Sequence, residues 1–455
     1  MLFRSATASS RRATTQSLLA ASAAARKRDC DSKMLLRARV VLPLTQPPIL
    51  DGAVRVAGNR IAAIGRRRDF PARAQKDIVD LGNVVLLPGL VNAHCHLDYT
   101  DMAGEFPPPK RFSEWIKLIN IAKAQWDYSD YAASWLGGAH MLVRTGTTTV
   151  GDIEAVPELL PEVWNSTPLR VLSFLEMIVI TKRRTPGAIL QETVERVRNL
   201  GASRCRAGLS PHAPYSTVPE LVRLSARAAR RNRWRLCTHV AESAQEFEMF
   251  RHARGEMFAW LKRSTRDMSD CGLGSPVQHL ARCGELGENL LAVHANYLGP
   301  GDADLLAKHK VSVAHCPRSH SYFGHGPFRL SRLARAGVNV CLGTDSLASV
   351  VKPPRQTVEL NMFEEMGLLS EAKGSPAPQN IVRMATLNGA RALGMQGRVG
   401  ELSKGAFADL IAIPFAGKVA DIYDAIVHHA GGIAGSMIDG QWAVPPQATS
   451  KSERL

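Results

Sequence analysis

The chain has 455 residues, 22% of them charged and 45% hydrophobic, with a formal net charge of +16. That length holds one large domain and a smaller one around a sizeable core, and there is no run of about 18 apolar residues to cross a bilayer as a helix. Nucleic-acid binding is one reading of the charge, but nine Lys/Arg stand against two Asp within residues 1–40, and the remaining arginines are spread along helix-like rows such as LVRLSARAARRNRWR, which read as solvated faces.

Residues 1–33 are rich in Arg, Ser, Thr and Ala and carry no acid before Asp29. This is the composition of a mitochondrial transit peptide. A disordered basic arm and a true start at Met34, directly before the strand-like LLRARVVLPL, are the alternatives, and the Met34 start is preferred. Residues 34–86 then give short β-like pieces (MLLRARVVLPL, GAVRVAGNRIAAIG, DIVDLGNVVLL). Residues 397–446 read the same way (GRVGELSKGAFADLIAIPF, GSMIDGQWAV), and 447–455 form a tail. Period-2 alternation and Gly-bounded runs predict a small β-structure assembled from both chain ends.

Residues 87–396 differ. Eight β-branched or apolar runs alternate with segments of helical periodicity: VVLLPGLVNAHCH, TGTTTVGDI, RVLSFLEMIVI, RCRAGLSPHAP, RLCTHVAES, LLAVHANYL, VSVAHCPRS and VNVCLGTDS. The pattern predicts an α/β fold, a TIM-like (β/α)8 barrel with a small β-sandwich formed from both chain ends. Eight cysteines without a repeated CxxC pattern read as reduced thiols of a cytoplasmic protein.

Polar residues fall at the C-terminal ends of nearly all eight runs, the face where barrels carry their active sites. His94 and His96, at i and i+2 on a strand, point to one side. His239, His294 and Asp345 end three further runs. Three imidazoles and a carboxylate from separate strands can surround one divalent ion and leave room for water. Zinc is the first expectation, with iron allowed by the ligand types. The H-x-E…P-C-x-x-C pattern of one class of zinc enzymes is absent from the sequence.

PGLVNAHCHLD, SPHAPYS, THVAES, VHANYL, HCPRS, LGTDS and ATLNGARALG…ADL, in this order from Met34 to about Val444, resemble the amidohydrolase superfamily, specifically its mononuclear deaminase branch. The resemblance implies a barrel flanked by a β-sandwich, with His94, His96, His239 and Asp345 as metal ligands. It also implies Glu242 as proton shuttle, His294 as the imidazole beside the attacking water, and His212 as a substrate contact. The binuclear branch bridges two ions with a lysine on the fourth strand. RCRAGLSPHAP has none, which favours one metal ion. Asp345 then takes a proton from water, and Glu242 protonates the ring nitrogen before ammonia departs.

HAPYS and the spaced glutamates after THVAES resemble the nucleoside-deaminating group, which includes methylthioadenosine/S-adenosylhomocysteine deaminases and aminodeoxyfutalosine deaminases. SFLEM and the insert EFEMFRHARGEMFAWLKR lean towards the latter. Glu176 is a candidate for ribose hydroxyls, and His315 and Arg318 in HCPRS are further substrate-contact candidates. His320 stands where the family often has asparagine, and the loop to Phe328 is expected to shape the pocket. This leaves guanine, pterin or triazine deamination, triazine dechlorination and lactam hydrolysis open. A non-catalytic binding protein is disfavoured because every metal and shuttle position is filled. The expected partner is a small-molecule substrate, with no nucleic acid and no membrane; a homo-oligomer is left open. A protein beginning at Met34 is expected to fold and keep its activity; loss of solubility or turnover on deleting residues 1–33 would assign the tail a working role.

Overall fold

The computed structural model describes residues 33–75, 78–180, 184–201 and 203–446. The N-terminal extension before Lys33 and the tail after Pro446 lie outside them. Among the described residues no helix is long and apolar enough to cross a membrane. The seven cysteines described are all unpaired and buried.

The strands fall into two sheets. β1 (Lys33–Val41), β2 (Ile49–Ala57), β3 (Arg60–Arg66), β4 (Ile78–Asp80) and β5 (Val84–Pro88) come from the N-terminal side. The barrel follows with β6 (Leu90–Cys95), β7 (Thr147–Glu154), β8 (Arg170–Met177), β9 (Arg206–Pro211), β10 (Leu236–Val240), β11 (Leu290–His294), β12 (Ser312–His315) and β13 (Asn339–Leu342). β14 (Leu410–Pro414), β15 (Gly435–Ile438) and β16 (Gln441–Val444) complete the first sheet. β6 to β13 pair in sequence order, all parallel, as a (β/α)8 barrel requires. The other eight strands form one continuous sheet in the order β16-β15-β14-β5-β1-β2-β3, with β4 on β1. It is mainly antiparallel and is drawn from both chain ends.

The run VVLLPGLVNAHCH, expected to be one barrel strand, is two strands in different sheets. Pro88 has no N–H to continue a ladder, and the Gly89 N–H is turned to the Asp409 carbonyl at 3.1 Å. A Cβ at Gly89 would lie 2.1 Å from the Thr148 side chain. The crossing from sheet to barrel therefore takes place at a position that glycine fills without a clash.

Inside the barrel, Val91, Ala93, Leu172, Phe174, Cys237, Leu291, Val293, Ala314 and Cys341 pack together, and Ala390, Leu393, Met395 and Val399 close its N-terminal end. A larger layer lies between strands and helices. Local signals place those helices. Asp127 accepts from the Ser129 and Asp130 N–H groups to start the helix Tyr128–Arg144, and Thr185 caps Pro186–Asn199 with proline in its first turn.

Barrel and sheet are tied by a buried ion pair. The Arg170 guanidinium donates to both oxygens of Asp409, at 2.8 and 3.2 Å, and to Asp439 at 3.0 Å, while its flat face lies 3.8 Å from the centre of the Phe407 ring. Removing the arginine strands a buried carboxylate. Arg170→Met is expected to cost about 3–5 kcal/mol in chemical denaturation; a loss below about 1 kcal/mol would show that the sheet docks by apolar contact alone.

Candidate active site

The C-terminal ends of the barrel strands converge on one buried cluster. His94 is fully buried and His96, His239, His294 and Asp345 nearly so. Asp345 Oδ1 lies 3.5 Å from His94 Nε2 and 3.7 Å from His96 Nε2. His96 Nε2 and His239 Nε2 are 3.3 Å apart. Ligand atoms of His94, His239 and His294, of His94, His96 and Asp345, and of Glu242, His294 and Asp345 lie within 4.8 Å of one another in each set.

Strand alternation explains part of this convergence. On β10, Cys237 and His239 share the inward row, and on β8 Glu176 continues the row of Leu172 and Phe174. On β6 the alternation alone would fail, because Val91 and Ala93 already face inward. A register shift between Asn92 and Cys95 re-aims the strand, so that His94 and His96 follow Ala93 into the barrel; bulges often do this beside active sites. On β11 Val293 faces inward, and His294, next to it, is turned in by a left-handed backbone (φ 74°). Asp345 is also left-handed, at φ 55°. Such conformations persist only where surrounding contacts over-determine them.

Those contacts are visible. The His94 carbonyl accepts from the N–H groups of Thr344 (3.0 Å) and Asp345 (3.1 Å), and Asn92 bonds Thr344 through both ends of its amide. Ser319 and Ser349 donate to Asp345 Oδ2, at 2.6 and 3.3 Å, which leaves Oδ1 facing the imidazoles. His239 Nδ1 lies 3.1 Å from the His212 carbonyl; that acceptor fixes the N–H on Nδ1 and frees Nε2 as a lone-pair donor. Glu246 accepts from the N–H groups of Ala241 and Glu242 and so shapes the turn that presents Glu242. Asn296 donates to the Glu242 carbonyl at 3.0 Å.

Burial, reinforced by neighbouring imidazoles, keeps His96 and His239 well below the usual histidine range, and burial pushes His294 down to about 3. Burial also opposes ionisation of Asp345, but contact with His94 and the fields of His294 and His96 outweigh it and hold the carboxyl well below its ordinary range. Burial, then Asp345 and Glu246, drive Glu242 well above its own. Neutral imidazoles beside an ionised carboxylate are the forms that ligate a divalent cation. Both ring nitrogens of His94 are buried without a hydrogen-bond partner, and coordination of one of them to a metal ion would lower that cost. The donor set therefore fits a divalent ion.

A cavity of about 200 Å³ opens above the cluster. His96, His239, His294, Asp345 and Glu242 form its floor side, and Glu242 Oε1 sits 3.5 Å from His294 Nε2. Glu176 and His212 line it too, 3.7 Å apart. Phe112, Trp115, Tyr215 and Trp260 supply flat apolar walls, and Lys123 a cation. The structure does not bring the other two candidates into this cavity. His315 falls on the opposite side of β12 from the inward Ala314 and stacks on Phe328, with ring centroids 3.8 Å apart. Arg318 is drawn away to Glu364 and Glu365, the latter at 2.5 Å. The His320–Phe328 loop acts from behind, through Phe323 packed at 5.2 Å on both Phe112 and Trp115.

A family model described as the amidohydrolase family matches residues 85–443. The chain belongs to the amidohydrolase family. It is 31% identical over 400 residues to the 5-methylthioadenosine/S-adenosylhomocysteine deaminase of Syntrophobacter fumaroxidans, spanning 83% of each chain. It is 30% identical over 390 residues to the 5′-deoxyadenosine deaminase of Methanothermobacter thermautotrophicus, spanning 81% of this chain and 84% of that one. The crystal structure of Helicobacter pylori aminofutalosine deaminase with methylthio-coformycin matches with a TM-score of 0.79 at 20% identity, over 90% of this chain and 100% of that one; at that identity the likeness is one of fold.

Sequence reading missed Ser319, Ser349, Glu246 and Asn296, whose roles depend on contacts across the fold. Gly343 also escaped it. A Cβ there would lie 2.7 Å from the His94 carbonyl oxygen and 2.9 Å from its Cβ. Gly343→Ala is therefore expected to shift His94 against Asp345 and weaken zinc binding about 10–100-fold, as loss of ligand support does elsewhere. Chelator competition measures this; unchanged affinity would mean that the seam does not position His94.

Proposed function

We propose that this amidohydrolase is a metal-dependent aminohydrolase that converts the exocyclic amine of an adenosine derivative to a carbonyl, with one water consumed and one ammonia released. The observation that carries the reading is the buried Glu242 carboxyl in the same cavity as the histidine–aspartate cluster, 3.5 Å from His294. Amine departure needs a group that can hand over protons, and a carboxyl whose surroundings favour its protonated form suits that task.

His94, His96, His239 and Asp345 would hold one divalent ion, zinc as first choice. Such an ion lowers the pKa of water from about 15.7 towards 7 and so supplies a nucleophile at neutral pH. Asp345, its Oδ2 held by the two serine hydroxyls, would take up the water's proton. His294 donates a hydrogen bond to the oxygen adding at the amidine carbon. Glu242 gives its proton to the adjacent ring nitrogen as that nitrogen gains electron density. The proton taken up at Asp345 then passes to the amine, the hydroxyl proton of the tetrahedral carbon returns to Glu242 as the carbonyl forms, and ammonia leaves. Phe112, Trp115 and Trp260 accept the purine's flat apolar faces, and Glu176 with His212 meets the sugar hydroxyls.

The relatives near 30% identity are named for adenosines altered at the 5′ position, which supports that class above guanine, pterins, triazines or lactams. Zinc-loaded protein should release ammonia from at least one of 5′-methylthioadenosine, S-adenosylhomocysteine, 5′-deoxyadenosine or aminodeoxyfutalosine. Ammonia from guanine alone, or chloride release from a chlorotriazine without any deamination, would overturn the reading. Glu242→Gln should keep one metal ion per chain and lose about 10²–10⁴-fold in kcat, with KM little changed. Loss of the metal in that variant would make Glu242 a ligand, and an undiminished rate would make it a bystander.

A further inference from the structure

At the opposite end of the barrel lies a second cavity, of about 540 Å³. Arg198 near the end of the helix Pro186–Asn199, Arg206 at the start of β9, Arg233, Trp234 and Arg235 leading into β10, and Arg398 among the residues that close the barrel all line it. Five guanidinium groups face this space, and no carboxylate lines it. Some of the five have structural work. Arg235 donates to the carbonyls of Glu288, at 2.7 Å, and Ala392, and Arg398 to Gly394 at 2.6 Å. Arg198 reaches Asn232 at 3.4 Å. Arg206 and Arg233 make no side-chain hydrogen bond or ion pair among the described residues, and Arg235 Nε is buried without a partner.

The charges oppose one another. Burial, then the fields of Arg206, Arg170 and Arg60, pull Arg398 below the usual arginine range, and burial takes Arg235 down to about 10 although Glu288 offsets part of that. A concave site lined by one sign of charge focuses its field on an ion of the other sign. Guanidinium forks match phosphate oxygens two at a time, and the volume lies within the roughly 300–1,000 Å³ of small-molecule sites. Six residues of strand separate Arg206 from His212, roughly 20 Å at about 3.3 Å per residue, so the cavity is separate from the catalytic one.

We propose that this cavity is a second binding site, for a compact polyphosphate group carried either free or on a nucleotide. The test is calorimetric titration of sodium tripolyphosphate, and separately of ATP, into the full-length zinc-loaded protein and into its Arg206→Gln/Arg233→Gln variant. The wild type should take up one polyphosphate per chain, more weakly as salt rises from about 50 to about 200 mM. The variant should lose at least about tenfold in affinity with unaltered thermal stability and unaltered deaminase rate in the absence of polyphosphate. Equal affinity for the two probes assigns the site to the phosphate chain alone. Tighter binding of ATP that falls to the tripolyphosphate level in Trp234→Phe assigns it to a nucleotide. No saturable heat with either probe overturns the proposal. So does heat that survives the double substitution, as zinc chelation by the probe would, and so does RNA that binds but is not displaced by tripolyphosphate, which would make the arginines a nucleic-acid surface.

Discussion

The closing seam of the barrel is the constraint on which the site depends. β6 and β13 are almost 250 residues apart in sequence, and they meet where one carbonyl, that of His94, accepts from both Thr344 and Asp345. Cys95 and Asp345 bridge in parallel just beyond. The same contact that closes the sheet therefore sets an imidazole and a carboxylate side by side. Asn92, one turn of the pleat below, locks Thr344 through its whole amide. Gly343 allows the two backbones to approach. Fold and donor geometry are one structure here, and neither can relax without moving the other.

Much of this was legible in the sequence because barrel architecture writes its chemistry at strand ends. The eight apolar runs each contain one barrel strand, and the histidines and aspartate that end them meet in space. The limits of that reading are physical. Alternation places Glu176 and His239 correctly, but His315 looks like an equivalent strand-end histidine and instead falls on the outer row of β12. Its parity relative to Ala314 was readable; which row faced inward was not. His294 shows the reverse case: its parity is wrong, and only its left-handed backbone brings it in. Arg318 sits within a conspicuous motif, yet its partners Glu364 and Glu365 lie more than 40 residues away. The Pro88-Gly89 crossing hid inside an apolar run because hydrophobicity does not distinguish one buried sheet from another.

Burial gives the site its protonation pattern. Desolvation disfavours charge on every group; it moves His96, His239 and His294 down and Glu242 up, while at Asp345 contact with His94 and the neighbouring imidazoles outweigh it and hold the carboxyl down. These opposed shifts thus arise from a single environment rather than from separate tuning. The aromatic walls add apolar surface beside it. Lys123 is the exception, a cation in that wall held by the Tyr99 hydroxyl at 2.5 Å.

The two ends of the barrel then differ in how they carry strain. At the catalytic end the cost is conformational: His294 and Asp345 hold left-handed backbones worth of order 1–3 kcal/mol each, and the seam bonds, the Ser319 and Ser349 hydroxyls and the neighbouring imidazoles all offset it. At the other end the cost is electrostatic, with guanidinium groups gathered around an open cavity and two of them unpaired. Backbone strain of the first kind is relieved by contacts within the chain, because the strained residues are buried apart from their cavity side. Repulsion of the second kind is offset only in part within the chain, by Glu288 beside Arg235, and no carboxylate lines the cavity itself. That asymmetry is why the first end explains itself from the chain's own residues and the second asks for an anion from outside.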